Sequence, residues 1–160
     1  MNSLQALIAF ARRVIVLLER TQPLAQLAAR LYVAQVFFQS GLTKLGHWDS
    51  TLALFQEEYK VPLLPPELAA VAGTAGELVL PVLLAFGLAG RLAAAGLSVV
   101  NLVAVISLAE LAPAALQQHQ FWGSLLLGLV LWGPGRWSLD RFVLGWLPAP
   151  GRRAGYTRAA

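Results

Sequence analysis

Residues 68 to 87 read LAAVAGTAGELVLPVLLAFG, an apolar run interrupted by one charge, Glu77. About 20 residues of helix cross a bilayer, so this run alone could span one. Three further runs, about 24–43, 92–112 and 118–132, share its character. The breaks between them are marked by Pro62, Pro65 and Pro66, by the turn from Gly87 to Gly90, and by Gly133, Pro134 and Gly135 after the last. Charged residues make up 12% of the 160-residue chain and hydrophobic ones 58%. Soluble domains carry about 25% charged residues, so these runs point to lipid as the solvent. The pattern predicts an all-α, polytopic membrane four-helix bundle, one membrane domain over 1–160. The fourth run has the shortest apolar core and needs the polar QQHQ stretch, 117–120, to reach across.

The segments around the spans carry the topology. Residues 4 to 18 are apolar apart from Gln5, Arg12 and Arg13. Charges inside the run and no small-residue cleavage site after it speak against a signal peptide. An N-terminal interfacial helix over 1–23, or a lead-in to the first span, fits better. In the first loop, Leu52, Leu54, Phe55 and Tyr59 alternate with acids, predicting a short amphipathic helix capped by Asp49 or Ser50 and lying as a lid over that end. Ten of the 12 Lys and Arg residues fall before or early in the first span, in the second loop, or after the fourth; Lys44 and Lys60 are the two exceptions. The positive-inside rule then places both termini, including a basic tail over 133–160, in the cytoplasm. Trp122, Trp132, Trp137 and Trp146 suit aromatic belts. With the basic residues explained by topology, the high isoelectric point calls for no nucleic acid. Small residues such as Gly73, Gly76, Ala94 and Gly96 would allow a homo-oligomer.

The polar residues inside the runs are the candidates for function. Cys is absent and the one Met is Met1, which removes thiolate metal sites, Fe–S clusters and thiol chemistry. Lys44 closes the first span, and a charge there must snorkel, pair or line a wet cavity. Its partner is Glu77, about ten residues or roughly 15 Å into the second span. Such a pair either neutralises itself to hold two helices or handles protons and a quinone carbonyl. Pro81 leaves the Glu77 carbonyl without its helical donor and would bend the span around a cavity. Arg30, Phe37, Gly41 and Lys44 share one helical stripe, and Phe37 and Phe38 could flank a ring. Asn101, midway through the third span, reads as glue between helices or a cofactor contact, and Glu110 as the end of that span. His47 and His119 could ligate haem or copper, but they share no helix and rank behind ordinary loop or interface roles.

Arg30, the stretch GLTKLGHW from Gly41 to Trp48, Glu77, and the Gly87–Gly90 turn followed by Arg91 resemble the DoxX family. GPGRWSLDRF, Gly133 to Phe142, is similar to the G-x-G-x-x-S-L-D ending of many members. The resemblance covers about residues 24 to 142 and implies a four-helix inner-membrane protein. Some members are subunits of a thiosulfate:quinone oxidoreductase or are tied to terminal oxidases, and others associate with redox-stress enzymes. It brings Arg30, Gly41, Lys44, Leu45, Glu77, Ser138 and Asp140 forward. From the residues alone, Ser138 and Asp140 also read as the cap of a last short helix, with Arg136 or Arg141 as partners of Asp140. Three functions follow. The first is a membrane subunit of a redox complex working with a protein partner and the quinone pool, with Lys44 and Glu77 as catalytic groups and Arg30, Phe37, Gly41 and Asn101 around the cofactor. The second is a non-enzymatic anchor or assembly partner for a soluble protein. The third, a small metal or anion carrier, has no inverted repeat behind it.

Overall fold

The computed structural model describes residues 3–146, and every regular element among them is a helix. The tail from 147 onward, with Arg152, Arg153 and Arg158, lies outside the described residues, as does the side chain of Trp146. The order is α1 (Ser3–Gly46), α2 (Trp48–Glu57), α3 (Pro66–Phe86), α4 (Gly90–Ser107), α5 (Pro113–Trp132) and α6 (Leu139–Trp146). Helices α1, α3, α4 and α5 form a ring in which each packs on the next, and α2 rests on α1 and α3.

The breaks follow from the backbone chemistry of a few residues. Pro66 and Pro113 start α3 and α5, where a fixed φ helps and the missing N–H costs nothing. Gly87 ends α3 in the left-handed region at φ 66°, with its N–H returned to the last turn. A Cβ at Gly87 would stand 2.5 Å from Ser138 Cβ and 2.6 Å from Arg30 Nη1, so close approach as well as conformation demands glycine.

The core of the ring is Val33, Phe37, Leu84, Ala93, Ala94, Leu97, Leu126 and Leu129, with Trp122 set edge-on to Phe37. A smaller cluster, Phe55 with Ala69 and Ala70, seats α2 against α3. Outside this core the surface stays apolar: Val79, Leu102, Ile106, Leu127 and Leu131 are all exposed. Helices α3 and α4 are long and apolar enough to cross a membrane, with mean hydropathies of 1.9 and 1.6, yet only a third of each apolar window is buried. A core helix of a soluble protein would be mostly buried; these helices carry their apolar residues outward, as lipid contact requires.

Several boundaries differ from the sequence reading. The N-terminal segment is a lead-in to the first long helix and not a separate one: α1 runs unbroken for 44 residues with Pro23 inside it. The one hydrogen bond that Pro23 removes frees the carbonyl of Glu19, which is exposed and can bond water instead. Helix α2 begins at Trp48 with His47 at its N-cap and no side-chain cap, so neither Asp49 nor Ser50 caps it. Asp49 instead lies in the first turn, where its charge suits the helix dipole. Helix α4 stops at Ser107, leaving Glu110 in a loop, because Leu108 turns extended and Lys60 N–H takes the Ser107 carbonyl at 2.8 Å. Helix α5 gains the missing length by starting at Pro113. Residues 133–142, expected as the start of the basic tail with a short last helix, fold back on the bundle.

Candidate functional site

Lys44 lies in the last turn of α1. Ser40 is one turn earlier on the same face and accepts from Nζ at 2.9 Å. Across the helix interface, Nζ also reaches both carboxylate oxygens of Glu77, Oε1 at 2.7 Å and Oε2 at 2.5 Å. The approach depends on Gly41: a Cβ there would meet Leu78 Cγ at 2.9 Å and the Glu77 backbone carbon at 3.1 Å. A larger residue would hold α3 away and stretch the pair. The side chains are 18% and 9% exposed, so the pair is largely shielded from solvent, and it is the one ion pair among the described residues. Pro81 is buried inside α3 and supplies no N–H to the Glu77 carbonyl.

The pair forms the polar floor of a cavity of about 360 Å³. Its walls come from α3 and α4, among them Ala69, Gly73, Val99, Val103 and Ile106, and its cover from Phe55, Tyr59 and Val61. Phe55 and Tyr59 stack at 4.9 Å with their planes 18° apart. Thr51 Oγ1 donates to the Lys44 carbonyl at 3.0 Å, which ties this cover to the residue beneath it. Burial, then the charges of Glu77 and Glu58, push the Tyr59 phenol above its ordinary value, so it stays a neutral O–H donor. An apolar chamber with one cation, one carboxylate and one phenol can orient a polar ring or head group and exchange protons with it.

The other candidates lie elsewhere. Arg30 is 2% exposed and sits fourteen residues before Lys44, about 21 Å along the helix. Its Nη1 donates to the Pro134 carbonyl at 2.6 Å and its Nη2 to Trp137 at 2.7 Å, pinning the α5–α6 loop to α1. Phe37 is two turns below Lys44, in the core against Trp122, and Phe38 faces a separate groove with Leu31 and Phe86. Neither lines the cavity; the aromatic pair that does, Phe55 and Tyr59, comes from α2 and the turn after it. The sequence placed their helix as a lid over this end, but assigned the ring-flanking role to Phe37 and Phe38. Leu45 is exposed.

Asn101 joins α4 to α5. Its Nδ2 donates to the His119 carbonyl at 3.0 Å, leaving Oδ1 to accept from His119 Nδ1 at 2.8 Å. His47 stands at the α2 N-cap. No group of three or more His, Asp or Glu side chains is placed to hold a metal among the described residues.

Asp140 caps a helix other than its own. Its Oδ1 accepts from Ala89 N–H at 2.6 Å and its Oδ2 from Gly90 N–H at 2.7 Å, at the start of α4. Ala89 has no side-chain oxygen and holds φ at 48°, so the carboxylate satisfies donors that the local sequence leaves open. Asp140 therefore pairs with neither Arg136 nor Arg141, and Ser138 Oγ donates back to Gly135 at 2.8 Å. The motif residues thus divide between two ends: Lys44 and Glu77, brought together where Gly41 lets α3 approach, build the cavity floor, whereas Arg30, Ser138 and Asp140 knot the opposite end. A family model, DoxX, matches residues 25–110, just over half of the chain and inclusive of Arg30, Lys44 and Glu77. The chain matches none of the curated proteins and none of the solved structures with which it was compared.

Proposed function

The chain belongs to the DoxX family of membrane proteins, and from that premise we propose that it is a four-span subunit of an inner-membrane redox complex that exchanges electrons and protons with the quinone pool. The observation that carries this reading is the Lys44–Glu77 pair at the floor of an apolar cavity walled by α3 and α4. A quinone ring needs apolar walls, a flat aromatic neighbour, and a hydrogen-bond donor at its carbonyl oxygen. The cavity offers all three, with Phe55 and Tyr59 as the aromatic side. In this reading the Lys44 ammonium donates to the ring carbonyl, Glu77 relays the proton, and Tyr59 orients the far edge. Reduction of a quinone takes two electrons and two protons; with no Cys in the chain, the electrons come from a cofactor of a partner protein.

Four spans with both termini in the cytoplasm agree with the ring of long helices and with Arg12, Arg13, Arg20, Arg91, Arg136 and Arg141 all lying toward the Arg30 end. The test is to purify the tagged chain with its partners in mild detergent and measure bound quinone and quinone-dependent turnover. Glu77→Gln is expected to lower turnover by about 10²-fold or more while the complex still co-purifies. Full turnover and quinone content in Glu77→Gln and Lys44→Ala complexes would instead assign the pair a structural role. The chain would then be an anchor for its partner.

A further inference from the structure

At the end of the molecule opposite the Lys44–Glu77 pair, a groove of about 840 Å³ opens between the start of α4, the end of α5 and the start of α6. Three guanidinium groups line it, those of Arg91, Arg136 and Arg141. They come from three separate segments, and the fold alone brings them together. All three residues are exposed, and none lies within ion-pair distance of a carboxylate among the described residues. Arg91 lies along the end of α5, with Nη2 donating to the Leu131 carbonyl at 3.3 Å, and keeps its other N–H groups for the groove. One carboxylate also lines the groove, Asp140, but both of its oxygens accept from the backbone at the start of α4. Three cations facing one acid already engaged leave the groove positive.

We propose that this groove is a binding site for the phosphate head group of an anionic membrane lipid. Guanidinium groups bind phosphate oxygens in pairs of parallel hydrogen bonds, and a cleft lined by several concentrates the field on one anion. The edge of the groove favours a lipid over free inorganic phosphate. Leu92 and Trp132 line it while remaining 75% and 73% exposed, and Val143 is exposed beside them. Inorganic phosphate gains nothing from such surfaces, whereas the glycerol and first acyl carbons of a lipid would cover them. Basic pockets where helices meet the head-group layer suit this role, and a tryptophan beside one sits at the depth that tryptophan prefers. This site is independent of the quinone reading, because it shares no residue with the cavity.

The test uses the full-length chain in a neutral detergent, delipidated and then titrated with phosphatidylglycerol, phosphatidylcholine or inorganic phosphate. Retained lipid is read by native mass spectrometry and thermal unfolding by fluorescence. Phosphatidylglycerol is expected to be retained at least about tenfold more than phosphatidylcholine and to raise Tm. The R91Q/R136Q/R141Q variant is expected to lose that preference, at about fivefold per arginine. R152Q/R153Q/R158Q, which removes the same charge from the tail, is expected to keep it. Equal retention of the two lipids overturns the proposal without any variant. So does stabilisation by inorganic phosphate with none by phosphatidylglycerol, or a preference lost in the tail variant and kept in the groove variant.

Discussion

Lys44 and Glu77 stabilise each other only as a pair, and that asymmetry distinguishes them from ordinary polar side chains. Removing one partner leaves the other charge in a poorly solvated place, at about 3–5 kcal/mol, whereas replacing both with apolar residues of similar volume is near neutral. Lys44→Met and Glu77→Leu should therefore each destabilise the chain in a denaturation series in mixed micelles, and K44M/E77L should recover most of the loss. Additive losses in the double variant would mean the pair contributes no coupling. The neighbouring Gly41 is a steric requirement of the same site. Gly41→Val places carbon within contact distance of Leu78 and the α3 backbone, and overpacking of this kind costs about 1–3 kcal/mol. The same unfolding series checks it, and an unchanged midpoint would show that α3 can retreat freely. The pair was legible in the sequence because isolated charges in long apolar runs have few places to go. The lid was legible too, from the apolar residues spaced among acids in the first loop, but its rings were not singled out. The sequence offered Phe37 and Phe38 on the first span as the aromatic flank, and periodicity alone could not tell that those two turn away from the cavity that Phe55 and Tyr59 line.

Among the elements, the helices themselves were readable from apolar length and from Pro and Gly punctuation, and the errors cluster at ends settled by distant partners. Arg30 finds its acceptors at Pro134 and Trp137, more than a hundred positions along the chain. Asp140 likewise caps a helix 50 residues before it, which no local capping pattern announces. The N-terminal stretch left two readings open for a different reason: a proline after two charges normally marks a break, yet here the hydrogen bond it removes falls at Glu19, an exposed residue, and the helix runs on as a lead-in to the first span. The Asp140 arrangement gives a direct test. Asp140→Ala strips α4 of the only side-chain acceptor at its start among the described residues, and loss of a cap costs about 2 kcal/mol. Hydrogen exchange at Ala89, Gly90 and the following turn should accelerate by roughly 30-fold, as opening of that end becomes easier by the same amount. Exchange unchanged from wild type would show that backbone contacts alone hold the α4 start.

For the whole molecule, the two ends have different chemistry. One end gathers the α2 cover, the acidic loop and the cavity; the other gathers the basic groove and the knot around Arg30. Helix α1 complicates a simple span count. Its 44 residues make about 66 Å of helix, roughly twice the 30 Å of a hydrocarbon core. In the proposed four-span topology its first two dozen residues would extend past the bilayer on the Arg30 side or bend along the head groups, where Arg12, Arg13 and Arg20 would meet anionic lipid favourably. The chain contains no cysteine, so single cysteines report position without background. Glu57→Cys, on α2, should react with a membrane-impermeant maleimide in intact spheroplasts. Gln5→Cys, near the start of α1, and Arg136→Cys, in the α5–α6 loop, should react only after lysis. The reverse pattern would invert the orientation and put the cavity end toward the cytoplasm. Labelling of all three from one side would remove the odd number of crossings between Gln5 and Glu57, and between Glu57 and Arg136, that the proposed topology requires. The positive-inside distribution makes the first outcome the expected one, because moving the Arg30 end outward would carry most of the chain's arginines across the membrane.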